Sequence, residues 1–146
     1  MKETTEHKVD RTAWPKGPWD NEPDREDFIS NGFSCLLLRN NVGSWCGYVG
    51  VPENHPAFGK DYDDIKVDVH GGLTYASKCR GPIYHNPAPG MPENIWWLGF
   101  DTAHYMDLSP GMLKYSVLQR GDIYRDQQYT KNETDCLAAQ LANYVV

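Results

Sequence analysis

The sequence predicts an α+β domain, a mostly antiparallel sheet of about four to six strands with one C-terminal helix packed on it. Three observations carry that expectation. Short β-prone runs alternate with turn-forming clusters across the first hundred residues. Ten Pro and thirteen Gly leave little room for long helices before the C-terminal quarter. One helix-like stretch closes the chain, where Leu137, Leu141 and Tyr144 recur with alanines between them. At 146 residues the chain corresponds to one domain of the usual ~100–200.

Taken in order, residues 1–12 are charged and aperiodic, so a flexible N-terminus is expected ahead of a single compact domain over 13–146. Next comes T-A-W-P-K-G-P-W-D, which proline bars from helix. Its Trp14 and Trp19 read as rings that plug apolar gaps on the body or on a neighbouring chain, or as a lid over a pocket. Residues 20–32 are acidic and polar, with Phe28 and Ile29 as anchors. The runs C35-L-L-L-R39 and W45-C-G-Y-V-G-V51 flank N40-N-V-G43 and predict a hairpin. Gly47 and Gly50 mark a bulge or the close approach of another backbone.

Beyond a turn-rich loop, I65-K-V-D-V69 alternates cleanly and predicts a strand with Lys66 and Asp68 in solvent. His70-Gly71-Gly72 interrupts it before L73-T-Y-A-S77 resumes. I95-W-W-L-G-F100 is apolar on both faces and predicts a central strand. Leu108 to Gly121 carries no clear signal. From Asp122 onward Tyr124, Leu137, Leu141 and Tyr144 form the stripe of the final helix.

The charge balance excludes some classes of function. Twenty acidic against fourteen basic residues give −6, which argues against coating duplex nucleic acid, where phosphate contacts need Lys and Arg. The sequence has no apolar run of the ~18–20 residues a membrane span requires, and a charged start without a signal-peptide core points to the cytoplasm. Cys35, Cys46, Cys79 and Cys136 lack Cys-x-x-Cys spacing, so four free and mostly buried thiols are expected.

The residues with most chemistry are His70 and D101-T-A-H-Y-M-D107. Asp101, His104 and Asp107 step by three, which on a helical turn gives one broad face. A carboxylate beside an imidazole fixes its tautomer, and a second His supplies an acid–base partner, so His70, His104, Asp101 and Asp107 form the catalytic set if this is an enzyme. No cofactor is expected; a divalent metal, if present, would fall to His70, His104 and Asp101. The competing reading is structural, with Asp101 capping a helix and His104 satisfying a buried carbonyl. For a bound ligand the expected contacts are His70, Gly71, Gly72, Tyr75, Trp97, Asp101, His104 and Arg125. Glycine backbone N–H groups and Arg125 suit phosphate, and a Tyr or Trp ring suits a base. Paired glycines serve a strand bend equally well.

W14-P-K-G-P-W-D-N-E-P-D24, W45-C-G-Y-V-G-V-P52, V69-H-G-G-L-T-Y-A76 and W96-W-L-G-F-D-T-A-H104, with Y124-R-D126, resemble a family of small phage- and prophage-encoded proteins. The likeness covers most of the chain from Trp14 onward and implies action in the cytoplasm of an infected bacterium. It supplies provenance rather than chemistry. Small phage proteins outside the virion often counter host defence, and one route is to remove nucleotide immune signals. The resulting expectation is a counter-defence protein that binds and sequesters a nucleotide-like molecule. The alternatives are a hydrolase that cleaves such a signal and an acidic inhibitor that binds a host defence enzyme. A homo-oligomer is expected, because small binding proteins often complete one pocket from two chains.

Overall fold

The structure is a computed structural model and describes residues 7–113 and 122–144. It is an α+β fold: five antiparallel strands with one helix across one face. The strands are β1 (Arg25–Ser30), β2 (Phe33–Arg39), β3 (Trp45–Pro52), β4 (Tyr75–Ser77) and β5 (Ile95–Asp101), in the order β1-β2-β3-β5-β4. The helix α1 spans Gln127–Ala142.

The expected hairpin is β2–β3, in continuous register from Ser34↔Gly50 to Arg39↔Trp45. Asn40 closes its turn by accepting from the N–H groups of Val42 and Ser44, and Gly43 takes a φ of +92°. A second hairpin, β1–β2, was not expected, although its signal was available. Asn31-Gly32 lies between the strands with φ of 51° and 82°, the two positive values that a tight hairpin turn demands.

Both faces of the sheet are covered, so β2 and β3 are buried almost throughout. On one face Cys35, Val49, Val51, Leu98 and Phe100 meet Leu137, Ala138 and Leu141 of α1. The buried stripe of α1 runs Thr130, Thr134, Leu137, Ala138, Leu141, the spacing of one helical face. Thr130 and Thr134 belong there because each hydroxyl donates to a backbone carbonyl four residues earlier. Gly47 lets the helix approach: a Cβ there would strike Thr134 Oγ1 and the Phe100 ring. The register through Gly47 is unbroken, so close approach rather than a bulge explains it.

The other face carries Leu36, Leu38, Cys46, Tyr48, Ile95 and Trp97. Gly99 makes room on it for the Tyr48 ring, which stands edge-on to Tyr75 at 5.5 Å. Residues of the following loop close over this face; Arg25 donates to the carbonyls of Pro82 and Tyr84 at 2.9 and 3.1 Å.

The 65–69 segment corrects one expectation. It is extended, with Ile65 and Val69 buried and Lys66 and Asp68 exposed, but it is not a strand of the sheet. Side chains of α1 replace the ladder: Gln140 accepts from Asp68 N–H and donates to Asp68 C=O, both at 2.7 Å, and Glu133 accepts from His70 N–H at 2.8 Å. Period-two burial therefore arose from packing on a helix. The sheet resumes at Thr74, whose N–H reaches Gly99 O, and β4 follows.

The N-terminal segment is held more firmly than expected. His7, Val9 and Arg11 bond to Arg39 O, Asp24 and the Trp19 and Glu22 carbonyls. Residues 1–6 and 114–121 of the expected flexible end and the unassigned 108–121 stretch lie outside the described residues. The tryptophan arm packs on its own chain, with Trp19 buried against Tyr124. Trp14 and Trp45 flank Arg39, with its guanidinium carbon 5.6 and 4.6 Å from their ring centres. Arg39 is fully buried and ion-paired with Glu22 and Asp24 at 3.0 and 2.9 Å. Glu22 also accepts from Gln127 N–H and so fixes where α1 begins. The cysteines divide evenly: Cys35 and Cys46 are buried, whereas Cys79 and Cys136 are exposed, and all four are free.

Candidate functional site

His70 and His104 do meet, with ring centres 6.1 Å apart. His70 ends the segment laid along α1, and the chain then turns back, with Gly72 N–H donating to Val69 O at 2.8 Å. Gly71 and Gly72 have φ of 69° and 79°, which makes glycine the fitting residue at both. His104 follows β5 on a tight turn, not the helical turn expected: Asp107 N–H returns to His104 O and Met106 takes a φ of 75°. Asp101 does not cap a helix. It accepts from Ala103 N–H and from the Thr74 hydroxyl, and its Oδ1 lies 3.1 Å from His104 Nε2.

Asp107 is the centre of the arrangement. Its side chain is 1% exposed. Oδ2 accepts from His70 Nε2 at 2.8 Å and from His104 N–H at 3.0 Å, and Oδ1 accepts from Arg125 Nε at 3.0 Å. Burial alone would raise its pKa, but the bonds from His70, His104 N–H and Arg125 outweigh burial and hold it below the usual carboxylate range. Because an ionised carboxylate only accepts, His70 carries its proton on Nε2. Its Nδ1 faces Tyr129 Oη at 2.7 Å and accepts from that hydroxyl when the ring is neutral. Burial, and then the charge of Glu133, push the Tyr129 hydroxyl above its ordinary value.

Arg125 precedes the helix rather than starting it; Asp126 is the N-cap, accepting from Tyr129 N–H. Its guanidinium lies over the Tyr129 ring at 4.9 Å. Arg125, Tyr129 and Glu133 are spaced by four, and all three bear on His70 or Asp107. Tyr129 and Glu133 were missing from the sequence-derived site. The signal was present, because Arg125 was already a candidate and residues four and eight further on share its face once a helix is assumed.

Other expected members are placed elsewhere or differently. Tyr75 and Trp97 lie on the opposite face of the sheet, packed with Tyr48. Alternation along β5 sends Trp96, not Trp97, to the helix side, where its Nε1 donates to Lys60 O. The backbone at Gly71 is approached by the His104 ring, which a Cβ there would strike, whereas the space beside Gly72 is open. Both His70 nitrogens are engaged within the protein, and among the described residues no group of three or more His, Cys, Asp or Glu could hold a metal ion.

No protein-family model, curated protein or solved structure matches this chain. Among the described residues no helix is long and apolar enough to cross a membrane.

Proposed function

We propose that the His70–His104 corner holds a small anionic, nucleotide-like molecule without cutting it. The observation that carries this reading is the engagement of both His70 nitrogens, by Asp107 and Tyr129. With both nitrogens so engaged, His70 has none turned to a substrate for general acid–base cleavage. The phenol at the end of the relay is no better suited as a nucleophile, since its surroundings favour the protonated form. Arg125 is different. It uses only Nε on Asp107, and its two terminal nitrogens have no hydrogen-bond partner among the described residues. A guanidinium oriented through Nε and stacked on Tyr129 presents a fork suited to phosphate. The corner also offers the part-exposed His104, the open space at Gly72, and Tyr105, a residue 88% exposed on the His104 turn and available to stack on a base.

Joined to the resemblance to phage-encoded proteins, this chemistry supports sequestration of a nucleotide immune signal in the host cytoplasm. The test is incubation with a panel of cyclic oligonucleotides and cyclic NAD-derived nucleotides, followed by denaturation and analysis of the small molecules. Intact ligand released on heating is the expected result. New products would replace sequestration by hydrolysis, and a panel with no binder would overturn both. Arg125→Met should weaken binding by roughly 10–100-fold, the value of one charge-assisted hydrogen bond.

A further inference from the structure

A separate cavity lies on the sheet face opposite α1, between the strands and the loop that carries His85 and Asn86. Its volume is about 280 Å³, and its walls include Asp27, Phe28, Ser34, His85, Asn86 and Trp97. None of the His70 corner lines it.

The hydrogen-bonding capacity of this cavity is one-sided. Trp97 Nε1 and Asn86 Nδ2 are buried and find no acceptor among the described residues. Trp97 as a whole is 1% exposed. Buried donors without partners are rare in folded proteins and call for an explanation. The other polar walls are already committed. Asp27 receives Arg25 through both oxygens, at 2.7 and 3.0 Å. His85 Nδ1 faces a carbonyl, Glu93 O, at 3.4 Å and must donate there; Nε2 then accepts from Ser34 Oγ at 2.9 Å. Burial holds the His85 imidazole below its usual range, consistent with that neutral tautomer. The buried capacity left unused is therefore N–H donation, and Asp27, the charged residue of the lining, is already paired with Arg25.

Shape narrows the chemistry further. The His85 ring stands edge-on to Trp97 at 5.7 Å and 83°, so two aromatic rings meet at the cavity. The volume falls just under the ~300–1,000 Å³ of common small-molecule pockets. We propose that this cavity is a second binding site, for a small neutral planar heterocycle whose carbonyl or ring nitrogen accepts from Trp97 Nε1 and Asn86 Nδ2. That is the chemistry of a free nucleobase or a nicotinamide ring. The proposal is independent of the His70 corner, which requires negative charge.

Ligand-observed NMR and calorimetric titration with uracil, cytosine, hypoxanthine, adenine and nicotinamide test it directly, with inorganic phosphate as the control. At least one ring should bind at or below about 1 mM. Trp97→Phe and Asn86→Leu should each weaken that ring by roughly tenfold, since each deletes one donor. Ala88→Phe, which fills the cavity from its loop side, should abolish binding even if a donor variant folds poorly. His70→Ala should leave it unchanged. Failure of every ring to bind, or binding that survives Ala88→Phe, or loss on His70→Ala instead, would overturn the assignment.

Discussion

Replacing Asp107 by Asn tests the centre of the His70 corner while preserving its shape. The carboxylate accepts three donors on two oxygens: His70 Nε2 and His104 N–H on Oδ2, Arg125 Nε on Oδ1. An amide has one accepting oxygen and one NH₂, so some donor must face another donor. The less damaging flip keeps the oxygen toward His70 and His104 and turns NH₂ on Arg125. One ion pair is then lost, and the bonds that remain are no longer charge-assisted. Removing one partner of a buried pair costs ~3–5 kcal/mol, and the partial exposure of Arg125 places this variant near the lower end. For a chain of this length ~3 kcal/mol corresponds to a Tm about 6–12 °C lower.

The pH dependence carries a definite sign. The folded pKa of Asp107 lies below its ordinary value of 3.8, so its contribution is complete above that value and is lost as pH falls through the folded pKa. Thermal unfolding followed by circular dichroism at pH 7 and at pH 3 and below should show a wild-type-to-variant gap that narrows in acid. A Tm within about 2 °C of wild type at pH 7 would refute the reasoning, as would a gap that does not change with pH.

Three further outcomes follow from the packing. Arg39→Met should destabilise by ~3 kcal/mol in urea titration, because it removes the buried cation shared by Glu22 and Asp24 while Arg11 still pairs with Asp24. Gly47→Val should cost ~1–3 kcal/mol by forcing Thr134 and Phe100 apart, with the loss read from the denaturation midpoint. In a native thiol titration Cys79 and Cys136 should react quickly, whereas Cys35 and Cys46, buried and with thiol pKa values pushed up to about 12, should react only on unfolding.

The sequence by itself determined the elements whose signal is local. The β2–β3 hairpin was legible because an Asn/Gly cluster separates two β-prone runs, and α1 because Leu137 and Leu141 repeat at helical spacing. The closeness of His70 to the 101–107 turn was legible too, since each histidine follows an apolar segment that ends at a turn. Period-two burial at Ile65, Val67 and Val69 was real but ambiguous. Alternation reports which side chains are covered, not what their backbone bonds to, and only the tertiary structure decided that Glu133 and Gln140 take the place of a neighbouring strand.

The tertiary structure alone also decided which aromatic rings share a face with His70. Register within the sheet put Tyr75 and Trp97 on the far side, and register depends on pairing between residues distant in sequence. Arg39 closes the run C35-L-L-L-R39, and its burial between two tryptophans and two carboxylates depends on an arm that returns from residues 11–24. The least legible feature was the partnering of each histidine nitrogen. Residue types gave a carboxylate and two imidazoles near one another. Whether an imidazole is left free for a substrate or engaged by Asp107 and Tyr129 depends on hydrogen-bond geometry of about 3 Å, which long-range packing sets.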